Sequence, residues 1–351
     1  MAFVWSVVGM GSIVAMMVGG GFGLGATMMG AISLTVPKPV VWNPYNIFYS
    51  FKLGLDGAGA NEGHDLLRGA GGRAPKILVF DNHGQQIGQT KKQVKCGDGE
   101  DHCVEVVKNI KKQPAYAMLL GQDNPICLAS ATVTYPSGDR YAWVGNWAHT
   151  CNKAWYFSDI DAHHTNGSVK LLCAWLGFDG YKNNYSTGIR IHFPEFAKGF
   201  AGNGNNATYY CEQNSTALAF FNNRGPKYFN GDNEQEHRVN EKDRKEQEKK
   251  NRGKRSADMK TQSVRSYRAA HSAKILCDSS SSAGPSLVSV HERSFCHMPD
   301  KVLYRFCEDV AVGSCWDHKK HAFGAKGPRV MQSRAALPDV EFDKPTVWGG
   351  N

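Results

Sequence analysis

The sequence lacks every short motif that would identify a common catalytic chemistry. It has no Gly-x-Ser-x-Gly nucleophile turn, no His-Glu-x-x-His zinc helix, no Walker A loop and no Gly-x-Gly-x-x-Gly dinucleotide fingerprint. It also has no Cys-x-x-Cys pair, which argues against a zinc ribbon or a thioredoxin-like redox centre. We therefore assign no catalytic residue, no cofactor and no metal site, and expect a non-enzymatic protein.

Charge is absent from the N-terminus, because residues 2–37 contain no Asp, Glu, Lys or Arg. The apolar runs at 4–8 and 13–18 resemble the core of a signal peptide, and Ala31-Ile32-Ser33 has the small residues that a signal peptidase recognises. The apolar stretch is also long enough to cross a bilayer, which takes about 20 residues. We predict that residues 1–33 form a cleaved signal peptide or, as the alternative, a membrane anchor. Either one places the rest of the chain outside the cytoplasm.

Aliphatic residues are nearly absent from residues 234–250, where Val239 is the only one. Such a segment cannot pack onto a core, so residues 230–268 are predicted to be an exposed, charged linker. The net charge of +9 could indicate an anionic partner, but a solvated basic linker is the simpler interpretation. We expect no nucleic-acid partner.

A basic tetrapeptide lies inside this linker. Arg252, Lys254 and Arg255 match the Arg-x-Lys/Arg-Arg pattern that kexin- and furin-type proteases recognise in exposed, extended chain. The alternative is a chance basic cluster in a charged segment. The pattern predicts cleavage after Arg255.

What the sequence does contain points to the secretory pathway. Four Asn-x-Ser/Thr triplets without a central Pro are potential N-glycosylation sites. Their acceptors are Asn166, Asn184, Asn206 and Asn214. An N-glycan requires entry into the secretory pathway, so these triplets predict an extracellular or secreted protein.

The cysteine count is even, and six cysteines precede the basic site while four follow it. The ten are Cys96, Cys103, Cys127, Cys151, Cys173, Cys211, Cys277, Cys296, Cys307 and Cys315. In an oxidising compartment they are predicted to form disulfides. Cys96 and Cys103 bracket a polar loop and are the one pair that we predict. The other pairings stay open, including a bridge across the linker such as Cys211 to Cys277.

The fold predicted for residues 40–229 is an antiparallel β-sandwich. Residues 127–135 and 189–193 alternate between apolar and polar side chains, as half-buried strands do. Residues 171–176 are continuously apolar, as in a strand that is buried on both sides. Turns rich in Gly, Asn and Pro separate these runs, which favours a sandwich or barrel.

Residues 269–316 are predicted to form a small Cys-rich module. One short helix is expected to begin at Pro299, with Val302, Leu303, Phe306 and Val310 on its buried face. The polar stretch at 317–351 is predicted to be a disordered tail.

Aromatic residues concentrate between positions 141 and 185, and most of them are expected in the core. Tyr181 and Tyr185 lie in a Gly/Asn-rich loop, and with Trp147 they are the residues that we select for binding a carbohydrate or a membrane surface. Asp159, Asp161 and His163 would share one face of a strand and are a conceivable metal loop. We interpret them as a polar strand end, because nothing supplies further ligands.

The segment from Tyr141 to Ser158, together with Gly284-Pro-Ser-Leu-Val-Ser and the residues around Cys296 and Cys307, resembles secreted Cys-rich proteins of filamentous ascomycete fungi. The resemblance implies an extracellular fungal protein with kexin-type processing and no catalytic residues to carry over. Trp155-Tyr156-Phe157 and Cys173-Ala-Trp175-Leu176 are similar to strands of PLAT-type lipid-binding sandwiches. We therefore expect a secreted, glycosylated, non-enzymatic binding or effector-like protein that is processed in its linker. The alternatives are a secreted hydrolase with an unrecognised site and a membrane-anchored surface protein.

Overall fold

The structure is a computed structural model of the chain. It describes residues 10–20, 27–37, 43–55, 67, 71–97, 102–122, 124–164, 167–177, 185–197, 207–212, 215–221, 259–327 and 337–349. For residues 10–20, 27–37, 102, 163, 164 and 167 it describes the backbone alone.

The protein is mainly β, as the alternating patterns predict. Up to residue 221 the strands are β1 (Met10–Gly20), β2 (Thr27–Pro37), β3 (Ile47–Leu53), β4 (Gly72–Arg73), β5 (Lys76–Phe80), β6 (Gln86–Gln89), β7 (Lys95–Cys96), β8 (His102–Val107), β9 (Tyr116–Leu120), β10 (Ile126–Thr134), β11 (Arg140–Val144), β12 (Trp155–His164), β13 (Gly167–Leu176), β14 (Gly188–His192) and β15 (Leu218–Phe221). Short helices interrupt them at α1 (Asn146–Thr150), a 3-10 turn (Phe193–Phe196) and α2 (Ala207–Cys211).

Two large antiparallel sheets and the two-stranded sheet β4-β7 form the first module, which we define as the described residues from 10 to 221. The larger sheet has the order β1-β2-β12-β13-β10-β3-β8 with β11 paired to β10, and the smaller has the order β15-β14-β9-β5-β6. The sheets meet through aromatic contacts, with 6.4 Å between the ring centroids of Trp143 in β11 and Phe220 in β15. Tyr49 of β3 also contacts Phe193, the residue that directly follows β14, with 6.1 Å between ring centroids. The predicted sandwich is therefore confirmed.

Alternation along the strands sorts the side chains of the smaller sheet between two clusters. Ile77 and Val79 of β5 point into the main core, whereas Leu78 and Phe80 belong to a separate cluster with Met118. Successive side chains of a strand point to opposite faces, so this sheet is apolar on both sides. Strand β10 is likewise buried along its whole length, although nearly half of its residues are Ser, Thr or Cys.

The second module, which we define as residues 259–349, follows the charged linker. Its elements are β16 (Ser263–Ser266), α3 (Ala273–Asp278), β17 (Ser286–Ser289), β18 (Ser294–His297), β19 (Val302–Arg305), a 3-10 turn (Cys307–Asp309), β20 (Gly313–Asp317), β21 (Ala322–Lys326) and β22 (Thr346–Trp348). Five of the strands form a sheet in the order β19-β18-β17-β16-β22, and β16 runs parallel to both of its neighbours.

Two boundaries differ from the sequence-based expectations. Strand β16 begins at Ser263, inside the predicted linker of 230–268. The predicted disordered tail of 317–351 contains β21 and β22, and Trp348 is fully buried. Strand β22 was not predicted because it has only three residues and lies in a polar stretch, so it shows almost no apolar periodicity.

The helix predicted at Pro299 is wrong. Pro299 instead lies in the turn between β18 and β19, where the Asp300 carboxylate accepts a hydrogen bond from the backbone N–H of Val302 (3.2 Å) and Lys301 has a positive φ of 58°. Val302 and Leu303 are 41% and 38% exposed, so they form no buried helical face. The local turn thus determines that this segment is a strand, although its apolar spacing fits both a helix and a strand.

The N-terminal strands β1 and β2 pair with each other, and β2 joins β12 through the pair of Ser33 and His163. Among the described residues no helix is long and apolar enough to span a membrane. The signal peptide or anchor expected at residues 1–33 stays a prediction.

Candidate functional site

Several of the selected residues lie outside the described part of the chain. These are Asn166, Asn184, Asn206, Asn214, Tyr181, Arg252, Lys254 and Arg255. Three glycosylation triplets nevertheless end in an exposed hydroxyl residue, namely Ser168, Thr208 and Thr216. In the fourth, Ser186 is only 1% exposed and its backbone bonds to β13, with its N–H reaching the carbonyl of Trp175 at 3.3 Å.

All ten cysteines are paired in five disulfides, and none is free. The predicted bridge between Cys96 and Cys103 is confirmed. The other pairs are Cys127–Cys173, Cys151–Cys211, Cys277–Cys296 and Cys307–Cys315. Three bridges lie in the first module and two in the second. No bridge crosses the linker, which excludes the open alternative of Cys211 to Cys277.

The aromatic concentration is mostly core. Trp143, Trp147, Trp155 and Trp175 are at most 1% exposed. The choice of Trp147 as a binding residue is corrected, because this side chain lies in α1, is fully buried and packs edge-on against Phe196, with 5.5 Å between ring centroids. Tyr185 is half-buried and stacks on Trp175 at 4.8 Å.

Backbone and side-chain hydrogen bonds, ring contacts and an ion pair join the two modules, and we call this interface the seam. On the first module it consists of residues 155–159 of β12 with Lys170 and Trp175 of β13, and on the second of Arg268, His271, the loop 279–285 that follows α3, and Trp348. Trp155 pairs with Ser282 in a parallel β-bridge: the N–H of Ala283 donates to the Trp155 carbonyl at 2.9 Å, and the N–H of Trp155 donates to the Ser281 carbonyl at 3.3 Å. The second module thereby covers an edge of β12 that would otherwise expose unpaired backbone groups.

Side chains of the seam add directional hydrogen bonds. The Tyr156 hydroxyl donates to the carbonyl of Pro285 at 2.8 Å, and the indole N–H of Trp175 donates to the carbonyl of Ala283 at 2.6 Å. Gly284 permits this approach because its φ is +149° and a Cβ there would lie 2.6 Å from the Tyr156 ring. The apolar core is continuous across the seam, since Leu276 and Trp348 belong to the same cluster as Trp155.

A charged group closes one end of the seam. The Asp159 carboxylate binds Lys170 of its own module at 2.8 Å and Arg268 of the second module at 3.0 Å. Lys170 also pairs with Asp161 at 2.9 Å. These two carboxylates, considered above as metal ligands, are thus neutralised by lysine and arginine. Within the described residues no group of three His, Cys, Asp or Glu side chains could hold a metal ion.

His271 lies at the centre of the seam and is fully buried. Its Nε2 lies 3.1 Å from the carbonyl of Ser158, so this nitrogen carries the proton, and its Nδ1 accepts from the hydroxyl of Ser266 at 2.8 Å. Burial lowers the pKa of His271 to about 4, although Asp159 opposes the shift and Lys170 and Arg268 reinforce it.

We expect acid to weaken the folded protein through this histidine. A depressed pKa means that the unfolded chain binds the proton more readily than the folded protein does. Neutral His271 therefore makes its full contribution to the free energy of unfolding above pH 6.5, and this contribution declines as the pH falls towards about 4. At about 1.4 kcal/mol per pKa unit the loss is at most about 3 kcal/mol. Urea unfolding of wild type and His271→Gln between pH 7 and pH 4 measures it. If the free energy of unfolding depended on pH identically in both proteins, His271 would not be the group responsible.

A Ser–Lys contact in the second module resembles a nucleophile and its base. The ammonium of Lys301 reaches the hydroxyl of Ser282, the Ser282 carbonyl at 2.6 Å and the Leu276 carbonyl at 3.4 Å. Burial lowers the pKa of Lys301 to about 8, so the group is still mostly protonated at neutral pH. The Ser282 hydroxyl donates to the Leu276 carbonyl at 2.6 Å and is 5% exposed. Lys301 therefore acts as a cation at the C-terminal end of α3, where helix carbonyls lack partners.

Sequence reasoning missed the seam residues Arg268, His271 and Gly284, and also Lys301, which supports the seam loop. No motif connects them, because the first three contact residues that lie more than 100 positions away in the sequence. Only the Gly284-Pro285 pair carried a local signal, which indicated a turn without its partner.

Comparison with known proteins does not assign the chain to a family: no family model matches it, and no curated protein matches it.

Proposed function

We propose that this chain is a secreted, glycosylated extracellular protein of the binding class that is processed in its linker. The observation that carries the proposal is the pairing of all ten cysteines in five disulfides. Disulfides of this density are typical of oxidising compartments and rare in the cytosol. The four glycosylation triplets and the basic tetrapeptide support the same pathway.

A carbohydrate or a membrane surface is the proposed ligand class, and the binding residues are Tyr185 and Tyr181. Trp147 is not among the proposed binding residues, because it is buried. Tyr185 extends the Trp175 stack towards the surface, and flat aromatic rings of this kind bind sugar faces or lipid interfaces. Tyr185→Ala should abolish binding on a glycan array or to lipid vesicles. Retained binding in the variant would place the ligand elsewhere.

Expression of the full chain in a eukaryotic secretory host tests the compartment and the processing. We expect a product in the medium whose mass falls on treatment with an N-glycosidase, and a fragment that begins at Ser256. Arg255→Ala should abolish that fragment without affecting secretion. An intact, unglycosylated intracellular product would overturn the proposal.

A secreted hydrolase would need an exposed, activated nucleophile, and the contact of Ser282 with Lys301 is the arrangement closest to one. Because the Ser282 hydroxyl donates to a carbonyl and is nearly inaccessible, we expect no labelling by a fluorophosphonate probe. Ser282→Ala is the matched control. Labelling that disappears in this variant would favour the hydrolase.

A further inference from the structure

We infer that the two modules are each other's binding partners, and that cleavage of the linker leaves a non-covalent two-chain complex joined by the seam. The natural occurrence of this complex rests on the proposed processing, but the seam itself does not.

A non-covalent complex requires that no disulfide joins the two modules, and every disulfide lies within one module. Cys151–Cys211 closes the last loop of the first module, and Cys277–Cys296 ties α3 to β18 in the second. Each module keeps its own disulfides after a cut anywhere between residues 222 and 258. Before the cut the linker backbone is the only covalent link between the modules, and after the cut no covalent link remains.

The seam has the character of a permanent interface. Its centre is apolar and aromatic: Phe157 stacks on His271 at 5.0 Å between ring centroids, and Tyr156 meets Trp348 edge-on at 6.3 Å. The buried hydroxyl of Tyr156 and the buried indole of Trp175 are both hydrogen-bonded to the second module. Separation would expose Trp155 and Trp175, and would leave these polar groups and one edge of β12 without partners. Interfaces that combine a buried aromatic centre with satisfied polar groups resemble those of obligate complexes.

The pair formed by Asp159 and Arg268 contributes specificity. One carboxylate is held by a cation from each module, so it orients the second module relative to β12. Arg268 is 42% exposed at its side chain, and we therefore assign it an orienting role rather than a large share of the affinity.

The test separates the seam from natural processing by replacing residues 252–255 with the recognition sequence of a site-specific viral protease. The purified protein is cut in vitro and examined by size-exclusion chromatography with light scattering, and by denaturing electrophoresis without reductant. We expect one native species with the mass of the uncut protein, and two separate bands on the denaturing gel. Two species on the native column would overturn the inference, whereas a single band on the denaturing gel would reveal a disulfide across the cut.

Gly284→Val supplies the interface variant, because its side chain would enter the Tyr156 ring. Gly313→Ala is the matched control, since Gly313 also has a positive φ (+109°) but a Cβ added there would meet no described atom within 4 Å. After the cut, Gly284→Val should release the second module at concentrations where wild type and Gly313→Ala stay associated. Equal association of all three proteins would show that the seam does not hold the chains together. Circular dichroism of the uncut variants separates loss of the seam from loss of the fold.

Failure of the secreted protein to be cut would refute the processing proposal, but it would leave the inference that the seam holds the two modules together unchanged.

Discussion

Trp348→Ala is expected to lower the free energy of unfolding by about 3–5 kcal/mol, the usual cost of truncating a buried Trp. The side chain is fully buried and lies 5.2 Å from the ring of His271 and 6.3 Å from the ring of Tyr156. It anchors β22, whose backbone accepts a hydrogen bond from Tyr267 at 3.0 Å. Urea unfolding followed by far-ultraviolet circular dichroism measures the change.

Val347→Ala is the matched control on the same strand, because Val347 is only partly buried and its side chain points to the other face. Its cost should be below about 1.5 kcal/mol, in the range for removing methyl groups from a partly exposed site. Equal costs for the two variants would mean that the C-terminal strand does not dock as described. Ending the chain at residue 336 should then have no larger effect than either substitution.

The double substitution Cys127→Ala and Cys173→Ala should destabilise the protein by about 4 kcal/mol, the chain-entropy value for a loop of this size. The bridge spans 46 residues and joins β10 to β13, and both cysteines are at most 1% exposed. Its loss frees the unfolded chain and also removes packing from the centre of the larger sheet.

The matched control is Cys307→Ala with Cys315→Ala, which opens a loop with a separation of only 8 residues. The same relation predicts about 2.5 kcal/mol for that bridge. Chemical denaturation of both variants under oxidising conditions gives the comparison. A larger loss from the short loop would refute the ordering by loop length, and native-state packing would then dominate.

The fold was predictable where a strand has a strong and regular pattern. The continuous apolar run at 171–176 lies in β13, and the alternation at 189–193 coincides with β14 except for Phe193, which begins a 3-10 turn. Prediction failed at Pro299, where apolar spacing fits both a helix and a strand and the local turn at Asp300 and Lys301 decides between them. It also failed at Trp147, which was selected for binding but is buried in the core. It failed again at Trp348, because three residues are too few to show a period.

The candidate site was much less predictable. The seam depends on pairs such as Tyr156 with Pro285 and Trp155 with Ser282, which lie more than 120 positions apart in the sequence. Each of these residues has an ordinary local role, as a strand aromatic or a loop residue. Their joint role appears only when β12 and the loop 279–285 are brought together.

The sequence by itself determined the β-class of the protein and the even set of cysteines with its local pair Cys96–Cys103. These properties follow from composition and short-range pattern. The tertiary structure alone decided that four disulfides besides the local one stay within their modules, that Trp147 is core, and that Asp159 binds Lys170 and Arg268. The physical reason is that disulfides, ion pairs and seam contacts join residues that lie far apart in the sequence. Whether such residues are close in space depends on the tertiary fold, which local sequence patterns do not report.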